Sequence, residues 1–112
     1  MSPQLVALLL SLGVEVPILL ALVRWRAWPC DWRRLLLLAP GVTLLTHPFA
    51  WALNEDLAQV AMLPRLAFIE LAVVLIEGLI LGHWARLGVA RGFQLALLAN
   101  AASFLAGLLV FR

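Results

Sequence analysis

Four apolar stretches, each of about 20 residues, take up most of this chain: 4–23, 35–53, 63–84 and 92–111. About 20 residues at ~1.5 Å rise cross a ~30 Å hydrocarbon layer as a helix. Hydrophobic residues make up 65% of the chain and charged ones 12%, against about 45–50% and 25% in soluble domains. A chain of this kind cannot hide its apolar surface from water inside a small globule. Its outer face must be solvated by lipid, and its backbone groups must be satisfied within the spans. The expected fold is all-α, a four-helix transmembrane bundle forming a single integral membrane domain over residues 1–112.

Each stretch carries polar residues that lipid penalises. Glu15 lies in the first, Thr43, Thr46 and His47 in the second, Glu70 and Glu77 in the third, Asn100 and Ser103 in the fourth. The worst side chains cost roughly 2.5–3.5 kcal/mol at a helix centre. Residues of this kind turn toward a bundle interior or a wet cavity, where they do the work of the protein. Their spacing agrees. Ser11 and Glu15 are four apart, Thr43, Thr46 and His47 fall at i, i+3 and i+4, Glu70 and Glu77 at i and i+7, and Asn100, Ser103 and Gly107 at i, i+3 and i+7. Each set shares one side of its helix. Counted from one end at the helical rise, His47, Glu70 and Ser103 lie about 9–12 Å deep, Glu15, Thr43 and Asn100 about 15–16 Å, and Glu77 about 21 Å. This depth order predicts a layered column, with His47 paired to Glu70 in the outer layer and Glu77 continuing inward. The candidate proton- or solute-binding residues are therefore Glu15, Thr43, His47, Glu70, Glu77, Asn100 and Ser103. The competing explanation for the Thr, Ser and Asn members is interhelical glue, worth about 0.6–2 kcal/mol per pair.

The net charge is only +2, and all eight bases are arginine. They follow span ends and form no continuous basic face, so nucleic acid is not an expected partner. Arg24, Arg26, Arg33, Arg34, Arg86 and Arg91 fall in the first and third connections, while Arg65 and Arg112 fall on the other side. The excess of arginine predicts that the first and third connections are cytoplasmic. Both termini then face outward, in a bacterial inner membrane. The first connection alternates Arg24, Trp25, Arg26, Trp28, Trp32, Arg33 and Arg34. This pattern suits anionic lipid headgroups, or simply an interfacial anchor.

Other features narrow the function. Cys30 is the one cysteine, so it forms no disulfide within the chain and no cysteine-based zinc site. The first stretch reads as a retained span, because it lacks a basic leading segment, holds Glu15 and Pro17, and has no small-residue cleavage site before Arg24. Pro40 and Pro48 predict a kinked second span. Asn54 is placed to cap a short amphipathic helix through Glu55, Asp56, Gln59 and Met62, a plain connector being the alternative. Pro64 suits the first turn of the third span. No Glu-x-x-His or His-Glu-x-x-His is present and no serine lies in a nucleophile motif. No metal, no cofactor and no enzymatic activity is the expectation.

The string Thr46-His47-Pro48-Phe49-Ala50-Trp51, the two glutamates of the third span and Asn100-Ala101-Ala102-Ser103 are similar to small four-span bacterial membrane proteins. That resemblance implies the architecture and no activity. Small multidrug resistance transporters are also about this long, cross four times and carry a Glu in the first helix, a position that Glu15 matches. The chain departs from them in Glu70, Glu77 and His47 and in having no Tyr, so the likeness is one of architecture. The leading expectation is a transporter- or channel-like protein moving protons, a small cation or a small polar solute, as a homo-oligomer. The alternatives are an accessory subunit of a larger membrane complex, whose polar stripes pair with a partner protein's helices, and a small intramembrane enzyme.

Overall fold

A computed structural model describes residues 2–110 of the chain. Phe111, the expected end of the fourth span, and Arg112, which enters the arginine count, lie outside the described residues. Four helices follow in order: α1 (Pro3–Arg26), α2 (Trp32–Asp56), α3 (Met62–Trp84) and α4 (Val89–Val110). Each is long and apolar enough to cross a membrane, and the fold is an all-α four-helix bundle. Its longest dimension is 42 Å, close to the ~40–45 Å of a bilayer with its headgroup layers.

Local chemistry sets the helix ends. Ser2 caps α1 by accepting from the Leu5 N–H at 3.2 Å, with Pro3 in the first turn, where a missing N–H costs nothing. Ala27 closes α1 in the left-handed region, and the Trp28 N–H reaches back to the Val23 carbonyl at 3.1 Å. Asp31 then caps α2 through the Arg34 N–H at 3.3 Å. α2 stays helical through both Pro40 and Pro48, which membrane helices tolerate when neighbouring groups re-satisfy the backbone. Pro64 does fall in the first turn of α3.

The expected short helix beginning at Asn54 does not form. Asn54, Glu55 and Asp56 are the last residues of α2, and a tight turn leads to α3 at Met62. The Arg65 guanidinium donates to the Ala58 carbonyl in that turn at 3.1 Å. A carbonyl that a capped helix would otherwise have satisfied is thereby covered from α3, and too few residues remain for another helix.

The helices pack as a ring. α1 touches α2 and α4, α3 touches α2 and α4, and the diagonal pairs stay apart. The tightest seam joins α3 to α4. A Cβ on Gly92 would sit 2.6 Å from the Gly82 nitrogen, and one on Gly82 would sit 2.8 Å from the Gly88 carbonyl oxygen. Only glycines allow backbones this close, the small-residue packing that replaces hydrophobic driving force in lipid.

The two ends of the bundle differ. Near the α1–α2 and α3–α4 turns, Leu19, Val23, Leu35, Ala39, Leu81, Ala85, Leu95 and Ala99 fill the centre. The two turns are also joined directly, the Asp31 N–H donating to the Ala85 carbonyl at 3.0 Å. Toward the chain termini the core gives way to a cavity. Leucines on the outer faces stay exposed on every helix, among them Leu9, Leu37, Leu71 and Leu109, as lipid-facing positions should.

Candidate functional site

A cavity of about 420 Å³ opens among the helices in the terminal half of the bundle. All seven candidate residues line it: Glu15 from α1, Thr43 and His47 from α2, Glu70 and Glu77 from α3, Asn100 and Ser103 from α4. Thr46, Asn54 and Ser11 join them on the wall, along with apolar Leu10, Leu66, Ile69, Val73 and Phe104. Glu15, Thr43, Thr46, Glu77 and Asn100 are buried. His47, Glu70 and Ser103 are partly exposed.

Glu77 is the hub. Thr46 Oγ1 lies 2.8 Å from its Oε1, and Asn100 Nδ2 donates to its Oε2 at 2.8 Å. The second Asn100 hydrogen goes to the Ala96 carbonyl at 2.7 Å. Three helices thus meet on one carboxyl group. Thr46 Oγ1 also lies 2.8 Å from the Val42 carbonyl oxygen. A hydroxyl has one hydrogen and a carbonyl oxygen can only accept. Thr46 Oγ1 therefore donates either to Glu77 or to the Val42 carbonyl, and in the second case a protonated Glu77 donates to Thr46. The contact has two proton arrangements, a property suited to a group that gains and loses a proton.

This hub brings together side chains that the depth order placed at different levels. Counting Cα positions put Glu77 some 5 Å or more below Asn100, yet the side chains touch. Helical side chains lean toward their own helix N-terminus. α3 begins at the terminal end of the bundle, so Glu77 leans up. α2 and α4 begin at the loop end, so Thr46 and Asn100 lean down onto it. Glu77, Thr46 and Asn100 thus meet at one level at the cavity floor, and below it lies the apolar plug.

The expected His47–Glu70 pair is not made. No ion pair or hydrogen bond joins them among the described residues; Asp31 and Arg34 form the one ion pair there, at 3.5 Å. His47 instead lies with its ring 6.0 Å from the Trp51 ring. These residues are one turn apart on α2, and the imidazole folds along its own helix toward the indole. Elsewhere on the wall Ser103 Oγ donates to Ser11 Oγ at 3.1 Å, joining α4 to α1, and Thr43 Oγ1 donates back to the Ala39 carbonyl at 3.4 Å.

Several buried polar atoms have no partner: Glu15 Oε1, His47 Nε2 and Asn54 Oδ1, all on residues lining the cavity. Glu15 is only 3% exposed. A buried acceptor without a donor costs about 1–3 kcal/mol, so these atoms are unmet hydrogen-bonding positions at the cavity wall.

At the other end, the arginine–tryptophan segment divides. Trp25 is exposed, with the Arg26 guanidinium 5.1 Å from its ring centre. Arg24 and Trp32 border a shallow outer groove with Leu20, Ala21 and Leu36. Arg33 is exposed. Trp28 is partly buried against the core, and Arg91 lies 5.4 Å from its ring centre. Arg34 is held by Asp31 and donates to the Trp84 carbonyl at 3.5 Å. In the same segment, burial and then the Asp31 charge push the Cys30 thiol pKa up from its ordinary value.

Three polar contributors, Thr46, Asn54 and Ser11, stood outside the sequence-derived set. Thr46 shares the α2 stripe, but its hub role depends on side-chain lean. Asn54 read as a cap and instead lies in the last turn of α2 on the cavity wall. No family model, no curated protein and no solved structure matches this chain.

Proposed function

We propose that this protein is a small transporter-like membrane protein that takes a small cation or polar solute into the cavity and moves it across the bilayer in a cycle involving protons. The observation carrying this reading is that polar side chains from all four helices turn inward onto one cavity whose floor includes an unpartnered buried carboxyl oxygen. Inward stripes speak for a self-contained site and against stripes that pair with a partner's helices. The apolar plug beneath the floor speaks against a standing pore through one protomer. The proton-exchanging part of the reading rests on the two arrangements available to Thr46 and Glu77.

Reconstitution tests it. Purified protein in liposomes should support solute or proton flux, and Glu15→Gln should reduce that flux while the protein stays folded. Absence of flux, together with stable co-purification of an unrelated membrane protein, would favour the accessory-subunit reading instead.

A further inference from the structure

We propose that the outer groove between α1 and α2, at the arginine-bearing end of the bundle, holds one anionic phospholipid, with Arg24 taking its phosphate. None of the groove's five lining residues lines the cavity, so this site is independent of the transport reading.

The groove has the polarity of a phospholipid. Leu20, Ala21 and Arg24 come from the last two turns of α1, Trp32 and Leu36 from the first two of α2. Ala21 and Arg24 are three apart, Leu20 and Arg24 four, Trp32 and Leu36 four, so each set shares one side of its helix. Leu20 and Leu36 lie about one turn nearer the bilayer centre than Arg24 and Trp32. A cationic head and an apolar tail follow in the order of a phosphate and its acyl chain. Ala21 is the smallest side chain on the wall and leaves the hollow between the helices. Trp32 is 43% and Leu36 56% exposed, so the groove is open to lipid.

The charge of the headgroup follows from how the neighbouring arginines are engaged. Arg26 lies over Trp25, Arg91 over Trp28, and Arg34 is held by Asp31 and the Trp84 carbonyl. Arg24 has no ion pair and no ring partner among the described residues. Its planar guanidinium fork fits a phosphate with paired N–H donors. No acidic side chain lines the groove, and Asp31, the acid next to Trp32 in sequence, is turned to Arg34. The ammonium of a zwitterionic headgroup therefore finds no counter-charge, and a net-negative headgroup such as phosphatidylglycerol fits better. Any juxtamembrane arginine attracts anionic lipid. The groove adds a seat for the acyl chain, which exposed Arg33, outside the groove, lacks.

The test is native mass spectrometry of the delipidated full chain in detergent, titrated with phosphatidylglycerol or with phosphatidylethanolamine of the same acyl chains. The first phosphatidylglycerol should bind roughly fivefold or more tighter than the first phosphatidylethanolamine. Arg24→Gln should abolish that preference, and Arg33→Gln should change it by less than about twofold. Ala21→Leu, which fills the hollow without touching charge, should weaken the first phosphatidylglycerol. Inorganic phosphate should not displace it. Equal binding of the two lipids would reduce the groove to ordinary annular contact and overturn the proposal. Equal losses in Arg24→Gln and Arg33→Gln, pointing to diffuse surface charge, would overturn it too. So would displacement by inorganic phosphate, or unchanged binding by Ala21→Leu. If Arg24→Gln does not fold, Ala21→Leu and the comparison of the two lipids on the unaltered protein decide.

Discussion

At the scale of single residues, two of the three carboxyl groups that line the cavity, Glu77 and Glu15, differ in how their oxygens are partnered. Glu77 holds three helices together. Replacing it with Leu leaves one Asn100 Nδ2 hydrogen without an acceptor and removes the Thr46 contact, a loss of about 1–2 kcal/mol per contact in a membrane bundle. Glu77→Gln keeps a donor and an acceptor and should unfold close to the unaltered protein. Melting in detergent distinguishes the two, and equal destabilisation by Gln and Leu would remove Glu77 from its hub role. Glu15 should behave in the opposite way. Its Oε1 is buried without a partner, so Glu15→Leu should raise the melting temperature while flux is lost, the familiar exchange of stability for function. A lowered melting temperature would show that Glu15 is a structural member. Residue identity was legible in advance, because lipid tolerates so few polar groups that each one stands out. Their meeting level was not, because counting along the backbone ignores the opposite lean of side chains on antiparallel helices.

At the scale of helices, the spans were legible because crossing hydrocarbon demands a long apolar run, whereas the turns were not. Asn54 looked like a cap because a cap is what its side chain does when water surrounds it. The cavity offered it another place, and α2 continued past it to Asp56. The α3–α4 seam was written in the sequence as Gly78-Leu79-Ile80-Leu81-Gly82, a small-xxx-small pattern, yet only the packing shows that Gly92 answers it. Gly92→Ala should therefore cost about 1–3 kcal/mol through overpacking. Gly13, with nothing within 4 Å of its would-be Cβ, should accept Ala neutrally or with a gain of up to about 1 kcal/mol from helix propensity. Parallel unfolding of the two variants checks this, and equal effects would mean that the seam is looser than its geometry implies.

At the scale of the whole molecule, the arginine-bearing turns share one end of the bundle, the end that the excess of arginine predicts to be cytoplasmic. Cys30 lies at that end and is the chain's one thiol. In right-side-out vesicles a membrane-impermeant maleimide should leave it unmodified, and in inverted vesicles it should label. Labelling should also be slow at neutral pH. The pKa of this thiol lies above the ordinary value, so the reactive thiolate accumulates only at higher pH, and the rate should climb with pH later than for a free thiol. Asp31→Asn should quicken it by removing the neighbouring charge. Labelling in right-side-out vesicles would invert the topology. The same end of the bundle carries a mechanical consequence. Asp31 and Ala85 stitch the two turns backbone to backbone, directly beneath the leucine plug. A vessel sealed at its foot returns its contents by the way they came. Under the transport reading proposed above, onward passage of cargo requires that stitch to part while the opposite rim draws shut. A covalent staple between the two turns would give a protein that still fills but never delivers.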